Sequence, residues 1–297
     1  GARFTLKSGA GQTSAAFALA AGETAPAAPF KAVYPAKAAS YAAGAYTLDC
    51  LAGTRTLATD LSISPMYAES ENNSLQFCNL CNLIEFTIDN GTTGTLKITA
   101  DQNICGTATI AAADGKFQAA VSGEGASNTV TLALESSPAA GKFLVAMPAG
   151  EYTNLNFEIR NDSDIWTKTV KSGTLKRGYI TGVSMETEGQ GVHHGIKMFD
   201  GLYFADRNIG AETTEDRGYF FFWADPTGGQ RWNGSAFESA FTQANYKQEP
   251  YGWEYKGDIT VESGFDSARQ NWGAGWRMMT FAEAQTITNE DKPGKVS

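Results

Sequence analysis

Two adjacent residues, His193 and His194, are the only histidines in this 297-residue chain. An imidazole can serve as general acid, general base or metal ligand, but each use needs partners at set positions. No serine or carboxylate spacing beside the pair points to a triad, and adjacency sends the two rings in different directions. Both are read as solvated linker residues. Cysteines at positions 50, 78, 81 and 105 could do thiol or zinc chemistry. Cys78-Asn79-Leu80-Cys81 has CxxC spacing, yet a zinc site normally takes a second ligand pair and none follows. Residues 77–88 also read as a strand, in which positions three apart face opposite sides. Cys50, Cys78, Cys81 and Cys105 are therefore expected to be small buried hydrophobes, or to form one disulfide such as Cys50–Cys105.

Paired carboxylates can divide acid and base roles in glycoside hydrolysis when their separation is fixed. Glu212/Glu215 and Glu249/Glu254 are the available pairs, nothing in the sequence sets their spacing, and they read as charged loop residues. Asn161-Asp-Ser-Asp164 offers oxygens to calcium, but a single acidic turn falls short of the roughly six to eight ligands that ion takes. No catalytic residue, metal or cofactor is expected, and the chain is read as a non-enzyme. Aromatics offer more. Trp232 in Gly228-Gly-Gln-Arg-Trp-Asn-Gly234, and Tyr251 with Trp253 in Pro250-Tyr-Gly-Trp-Glu-Tyr255, are glycine-flanked loop aromatics, where ligand contacts concentrate. Trp272, Trp276 and Arg277 could stack on a sugar or cap an acidic group. The structural reading is preferred for these three, because large aromatics dominate the cores of small modules.

The elements that must hold these residues are mostly strands. Ile84, Phe86 and Ile88 alternate, then Asn90-Gly91 follows as a hairpin turn would. Leu96 with Ile98, Val130 to Leu134, Phe143 to Met147, Leu155 to Ile159 and Trp166 to Val170 repeat the period of two, and Asp114-Gly115 marks another turn. Strands spaced about 8–12 residues apart with turns between predict a β-sandwich. Residues 186–195, Glu-Thr-Glu-Gly-Gln-Gly-Val-His-His-Gly, are polar and aperiodic and read as a linker. Five of the six tryptophans lie beyond it, and no cysteine does. Two modules follow, 1–187 and 196–297, in keeping with roughly 150 residues per domain. The second carries helix signals: Asp266 to Trp272 before Gly273 reads as a short helix closed by a C-terminal glycine, and Thr280-Phe-Ala-Glu283 is a capping box. Ser235-Ala-Phe-Glu238 is a further possible box. A formal net charge of −9, with no basic block, argues against nucleic acid as a partner. No run of ~18 apolar residues suggests a membrane span.

Several stretches carry a resemblance. Phe30-Lys-Ala-Val-Tyr-Pro35, Met66-Tyr-Ala-Glu-Ser70, Leu75-Gln-Phe-Cys-Asn-Leu-Cys-Asn-Leu-Ile84 and Phe143-Leu-Val-Ala-Met-Pro-Ala-Gly150 occur in that order. Over residues 3–185 the chain thus resembles the fimbrillin-like proteins of Bacteroidetes, subunits of their type V pili. Ala205-Asp-Arg-Asn208-Ile-Gly210-Ala211, Asp216-Arg-Gly218-Tyr219-Phe-Phe-Phe-Trp223 and Ala268-Arg-Gln-Asn-Trp272-Gly273-Ala-Gly-Trp276-Arg277-Met-Met-Thr280, then Glu283, resemble the Fibrobacter-type paralogous domain, a C-type-lectin-like module. Met279 stands where that family usually has proline, and the chain stops where the family continues with strands, so the module reads as truncated, as ordered segments joined, or as a reduced variant of the fold. The resemblance implies a mainly β protein, a fimbrillin-like β-sandwich followed by a smaller α+β lectin-like module. It implies a structural motif of Trp272, Trp276, Arg277 and Glu283, and ligand contacts, if any, at Trp232, Tyr251 and Trp253. The implied role is cell adhesion as a minor or tip fimbrial subunit at the outer membrane surface or in the fimbrium. Partners would be other subunits joined by strand addition and a glycan or surface protein. The alternative is a carbohydrate-binding surface lipoprotein outside the fimbria.

Overall fold

The runs 81–88 and 141–148 place apolar side chains on both faces of the strand, as strands packed between two layers require. They form the middle layer of the protein. β13 (Gly141–Pro148) lies antiparallel along β8 (Cys81–Ile88), and β16 (Ile180–Ser184) adds in parallel to the other side of β8. Ile84, Phe86 and Ile88 point with Val145 and Met147 into one core, while Cys81 and Leu83 point with Leu144 and Ala146 into a second. The alternation that fills both cores is the period of two intrinsic to a strand.

On the first side stands a six-stranded sheet in the order β12 (Thr129–Leu134), β9 (Gly94–Thr99), β14 (Gly150–Arg160), β15 (Asp164–Leu175), β17 (Val192–Lys197), β18 (Tyr203–Ala205). Leu96, Ile98, Leu132, Phe157 and Ile159 face the middle layer, and Phe86 meets Phe157 edge-on with ring centroids 5.3 Å apart. On the second side lies a four-stranded sheet of β11 (Lys116–Val121), β10 (Ala108–Ala113), β5 (Ala45–Leu48) and β4 (Ala39–Ala42). Beside it β3 (Phe30–Tyr34), β6 (Met66–Ser70) and β7 (Cys78–Asn79) form a three-stranded sheet, whose Tyr67 enters the second core. A hairpin of β1 (Phe4–Ser8) and β2 (Ala16–Leu19) and a short pair of β19 (Tyr219–Phe220) and β20 (Gln230–Arg231) complete the strands. The two helices are α1 (Ser267–Trp272) and α2 (Phe281–Thr288). This computed structural model describes residues 1–42, 45–48, 51, 55, 57–88, 94–113, 115–122, 125–134, 141–185, 191–198, 201–221, 224, 226, 230–231 and 264–288. Among them the protein is largely β, in several open sheets with no barrel, and carries two short helices.

The alternating runs 84–88, 96–98, 130–134, 143–147, 155–159 and 166–170 are all strands, and Asp114-Gly115 separates the hairpin strands β10 and β11. Three readings of the sequence need correction. The runs flanking Asn90-Gly91 do not form a hairpin: β8 belongs to the middle layer and β9 to the six-stranded sheet. Burial decided this, because pairing them would take Ile98 away from the core it shares with Phe86. Residues 77–88 are not one strand either. Leu80, fully buried, breaks the run, and its N–H donates to the Pro65 carbonyl while its own carbonyl accepts from Ala119 N–H. Lastly, the end of the expected linker is ordered structure, since Val192 to Gly195 lie in β17 and pair with β15.

Candidate functional site

β17 runs antiparallel to β15, with His194 opposite Trp166 and His193 opposite Thr167. Neighbouring residues of a strand face opposite sides, so the two imidazoles enter different surroundings. The His194 ring stacks on Trp166 at 5.2 Å between centroids. Its Nε2 lies 2.9 Å from Asp164 and its Nδ1 3.1 Å from Asp206, which joins β15, β17 and the turn after β18. Arg207 donates to both oxygens of the same Asp206 at 3.0 and 3.1 Å. Burial by itself would raise the Asp206 carboxyl, but the hydrogen bonds from Arg207 and His194 outweigh it and hold the group below its usual range. The linker reading of both histidines is thus overturned. The hydrogen-bond partners of His194 lie 12 and 30 residues away, and no local pattern announces them.

His193 points to the other face and stacks on Trp272 at 4.9 Å. Burial, with Arg207 nearby, pushes its imidazole down to about 4. That face of the sheet is covered by α1 and the turn after it. Asp266 caps α1: its carboxylate, only 2% exposed, accepts from the N–H of Arg269 at 2.9 Å and from that of Met278 at 2.9 and 3.1 Å. Gly273 closes the helix at a φ of +92°, where a side chain would strike Thr169. Trp276, 7% exposed, packs with Ile165 and Ala268, and its indole N–H donates to the Thr167 hydroxyl at 2.5 Å. Gly195 lies beneath it, where a Cβ would meet the Trp276 ring at 2.7 Å and Ile165 at 2.9 Å. Arg277 grips both oxygens of Glu283 at 2.5 and 2.8 Å. Glu283 also accepts from Thr280 N–H at 2.7 Å while its own N–H donates to the Thr280 hydroxyl, the reciprocal cap the sequence predicts. The Arg277 hydrogen bond draws the Glu283 carboxyl down to about 2.

Between β17, the turn 206–211, Tyr219 and α1 lies a cleft of about 390 Å³, with His193, Asn208, Tyr219, Asn271 and Trp272 on its walls. Such a volume falls in the range of small-molecule pockets, roughly 300–1,000 Å³. Of the predicted site residues, Trp272 reaches this cleft, Trp276 lies in the packing beneath, and Arg277 and Glu283 form the turn leading to α2. Trp232, Tyr251, Trp253, Glu249, Glu254 and Cys50 lie outside the described residues. Glu212 and Glu215 are exposed, and Asn161 makes an ordinary turn by accepting from Ser163 and Asp164 N–H groups. Cys81 and Cys105 are buried, and the Cys105 thiol lies 3.1 Å from the Thr129 carbonyl. Among the described residues no group of three or more His, Cys, Asp or Glu is placed to hold a metal, and no helix is long and apolar enough to cross a membrane. Asn208, Tyr219 and Asn271 fall within stretches that carry the resemblance, but nothing in those stretches marks them as walls of one cleft until the fold assembles them.

No protein-family model matches the chain, and no curated protein matches it. Among solved structures it is similar to that of a proposed cell adhesion protein from Bacteroides ovatus, at 14% identity and a TM-score of 0.33. The match covers 56% of this chain and 65% of that one.

Proposed function

We propose that this chain is a non-catalytic cell-surface adhesion protein, a minor or tip subunit of a fimbria. In this reading a fimbrillin-like β-sandwich precedes a smaller lectin-like module, with other subunits as partners through strand addition. The observation that carries it is the β1–β2 hairpin. Register places Phe4 opposite Leu19 and Leu6 opposite Phe17, so all four share one face of a two-stranded ribbon. That face meets the protein through Phe17 against Tyr34, at 6.1 Å, yet Phe4, Leu6 and Phe17 stay 47%, 48% and 41% exposed. A two-stranded ribbon is marginal by itself, and a contiguous exposed apolar face marks an interaction surface. Its open edges suit β-strand addition, in which backbone hydrogen bonds supply affinity. The open edges of the other sheets and the sequence resemblance to fimbrial subunits support the same reading.

The test has two arms. Beads coated with the full chain are expected to adhere to host or bacterial cell surfaces, and the chain is expected to enter higher oligomers with fimbrial subunits. Leu6→Glu places a charge on the apolar ribbon without removing the contact of Phe17 with Tyr34, and should lower that association at least about tenfold, with the melting temperature little changed. A chain that neither adheres nor associates would overturn the proposal.

A further inference from the structure

We propose that residues 266–278 form a lid that lifts off the outer face of the six-stranded sheet as the surroundings turn acidic, with His193 beneath it as the trigger. Among the described residues the buried contact between lid and sheet is small: Ile165 of β15 meets Ala268 and Trp276, apart from the core that holds Phe86 and Phe157. The lid backbone lies close on β15 at Gly273 and Gly275, where a Cβ would meet Thr169 and Thr167, and the Trp276 indole N–H donates across the seam to Thr167. α1 itself has six residues, too few to be stable without that contact. Gly264, at a φ of +76° with open space about it, precedes the segment, and no described residue of α2 is buried. An element held by so few buried contacts opens locally before the whole molecule unfolds.

The neighbouring histidines answer a proton in opposite ways. Both nitrogens of His194 face carboxylates, Asp164 at 2.9 Å and Asp206 at 3.1 Å, so a ring N–H on either side meets an acceptor and β17 stays pinned to β15. His193, on the lid side, makes no side-chain hydrogen bond among the described residues and stacks on Trp272 at 4.9 Å. The charged groups nearest it are Arg207, which repels a second positive charge, and Asp206, engaged by Arg207 and His194. Lys197 lies four residues further along β17, and Lys168 of β15 turns to the opposite face and donates to the Ser184 carbonyl. α1 brings Arg269, donating to the Ala274 carbonyl, and the capping Asp266. A protonated His193 thus finds no acceptor under the closed lid and gains water once the lid lifts. The indole face attracts an imidazolium weakly. Burial outweighs it, pushing the ring down to about 4 from the value near 6.5 that it has in water. The open form therefore binds the proton in preference, and opening grows as pH falls from about 6.5 toward about 4.

The test is hydrogen exchange of the full chain, followed by mass spectrometry at pH 7 and pH 5 with rates corrected for the intrinsic effect of pH. The lid amides, among them Met278 N–H on Asp266 and Gly273 N–H on the Arg269 carbonyl, are expected to be less protected than those of β8 and β13 at both pH values. Their exchange should be insensitive to low urea, because local opening exposes little surface. Their protection should fall about tenfold from pH 7 to pH 5, allowing for the partial exposure of His193. His193→Gln and His193→Asn, which cannot take up the proton, should abolish that fall. Lid amides that exchange only together with β8 and β13, protection that does not change with pH, or a fall that persists in both variants would each overturn the inference. Proton NMR of the parent chain checks the trigger without a substitution: a His193 ring that titrates at the ordinary value would overturn it as well.

Discussion

At the scale of single residues, His193 makes the clearest prediction. Its folded value of about 4 lies below the ordinary value near 6.5, because burial against Trp272 disfavours the imidazolium. As pH falls, the unfolded chain therefore takes up this proton before the folded protein does. The stability that the neutral ring permits is complete above about pH 6.5 and is lost progressively down to about pH 4. His193→Gln should remove about 2 kcal/mol of that acid-side loss, allowing for partial exposure, when urea melts of the two proteins are compared at pH 7 and pH 4.5. Asp266 is the structural counterpart. Its buried carboxylate caps α1 and holds the Met278 N–H, so Asp266→Ala should cost about 2–3 kcal/mol in the same melts, while Asp266→Asn retains part of the cap.

Among elements, the contact that matters most to the site is the one between β17 and the turn carrying Trp276. Gly195 permits it: with no Cβ, the strand lets the indole ring settle over Ile165 and reach the Thr167 hydroxyl. Gly195→Val would put methyl groups into the Trp276 ring and should lift the turn and α1 off the sheet. The expected cost is about 1–3 kcal/mol, with a red-shifted tryptophan emission as the buried indole meets water. The middle layer follows another logic. β8 and β13 serve two cores at once, so their alternation separates one apolar set from another.

For the whole molecule, the edge of the six-stranded sheet is built by residues that follow the predicted first module. β17 and β18 extend the sheet beyond β15, and the segment from Asp266 to Met278 covers its outer face at Ile165, Thr167 and Thr169. We propose the division into 1–187 and 196–297 as one of sequence modules that are mutually supported in stability. Residues 1–187 expressed alone should melt lower than the full chain and be cut faster by protease along β15, where a paired strand would become an open edge. Equal melting temperatures and equal protection would show instead that the first module stands without the second.

The sequence by itself determined the β class, the positions of most strands, the glycine that closes α1 and the capping box of α2, because each of these follows from local rules. Period-two alternation, a capping residue three positions from its partner and a glycine at a positive φ are all written within a few neighbouring residues. Which strand lies beside which was not legible, as Asn90-Gly91 illustrates: a local turn signal cannot tell a hairpin from a passage between sheets, and only the shared burial of Phe86, Ile98 and Phe157 settles it. The site was still less legible. Trp272 stood out by type, but His193, Asn208 and Tyr219 are brought to it by β17 pairing with β15 and by α1 folding back from far along the chain. His194 likewise became a clamp between Asp164 and Asp206 only through that pairing. Tertiary structure decided these points because long-range contacts are selected by total burial and polar satisfaction, and short windows of sequence contain neither.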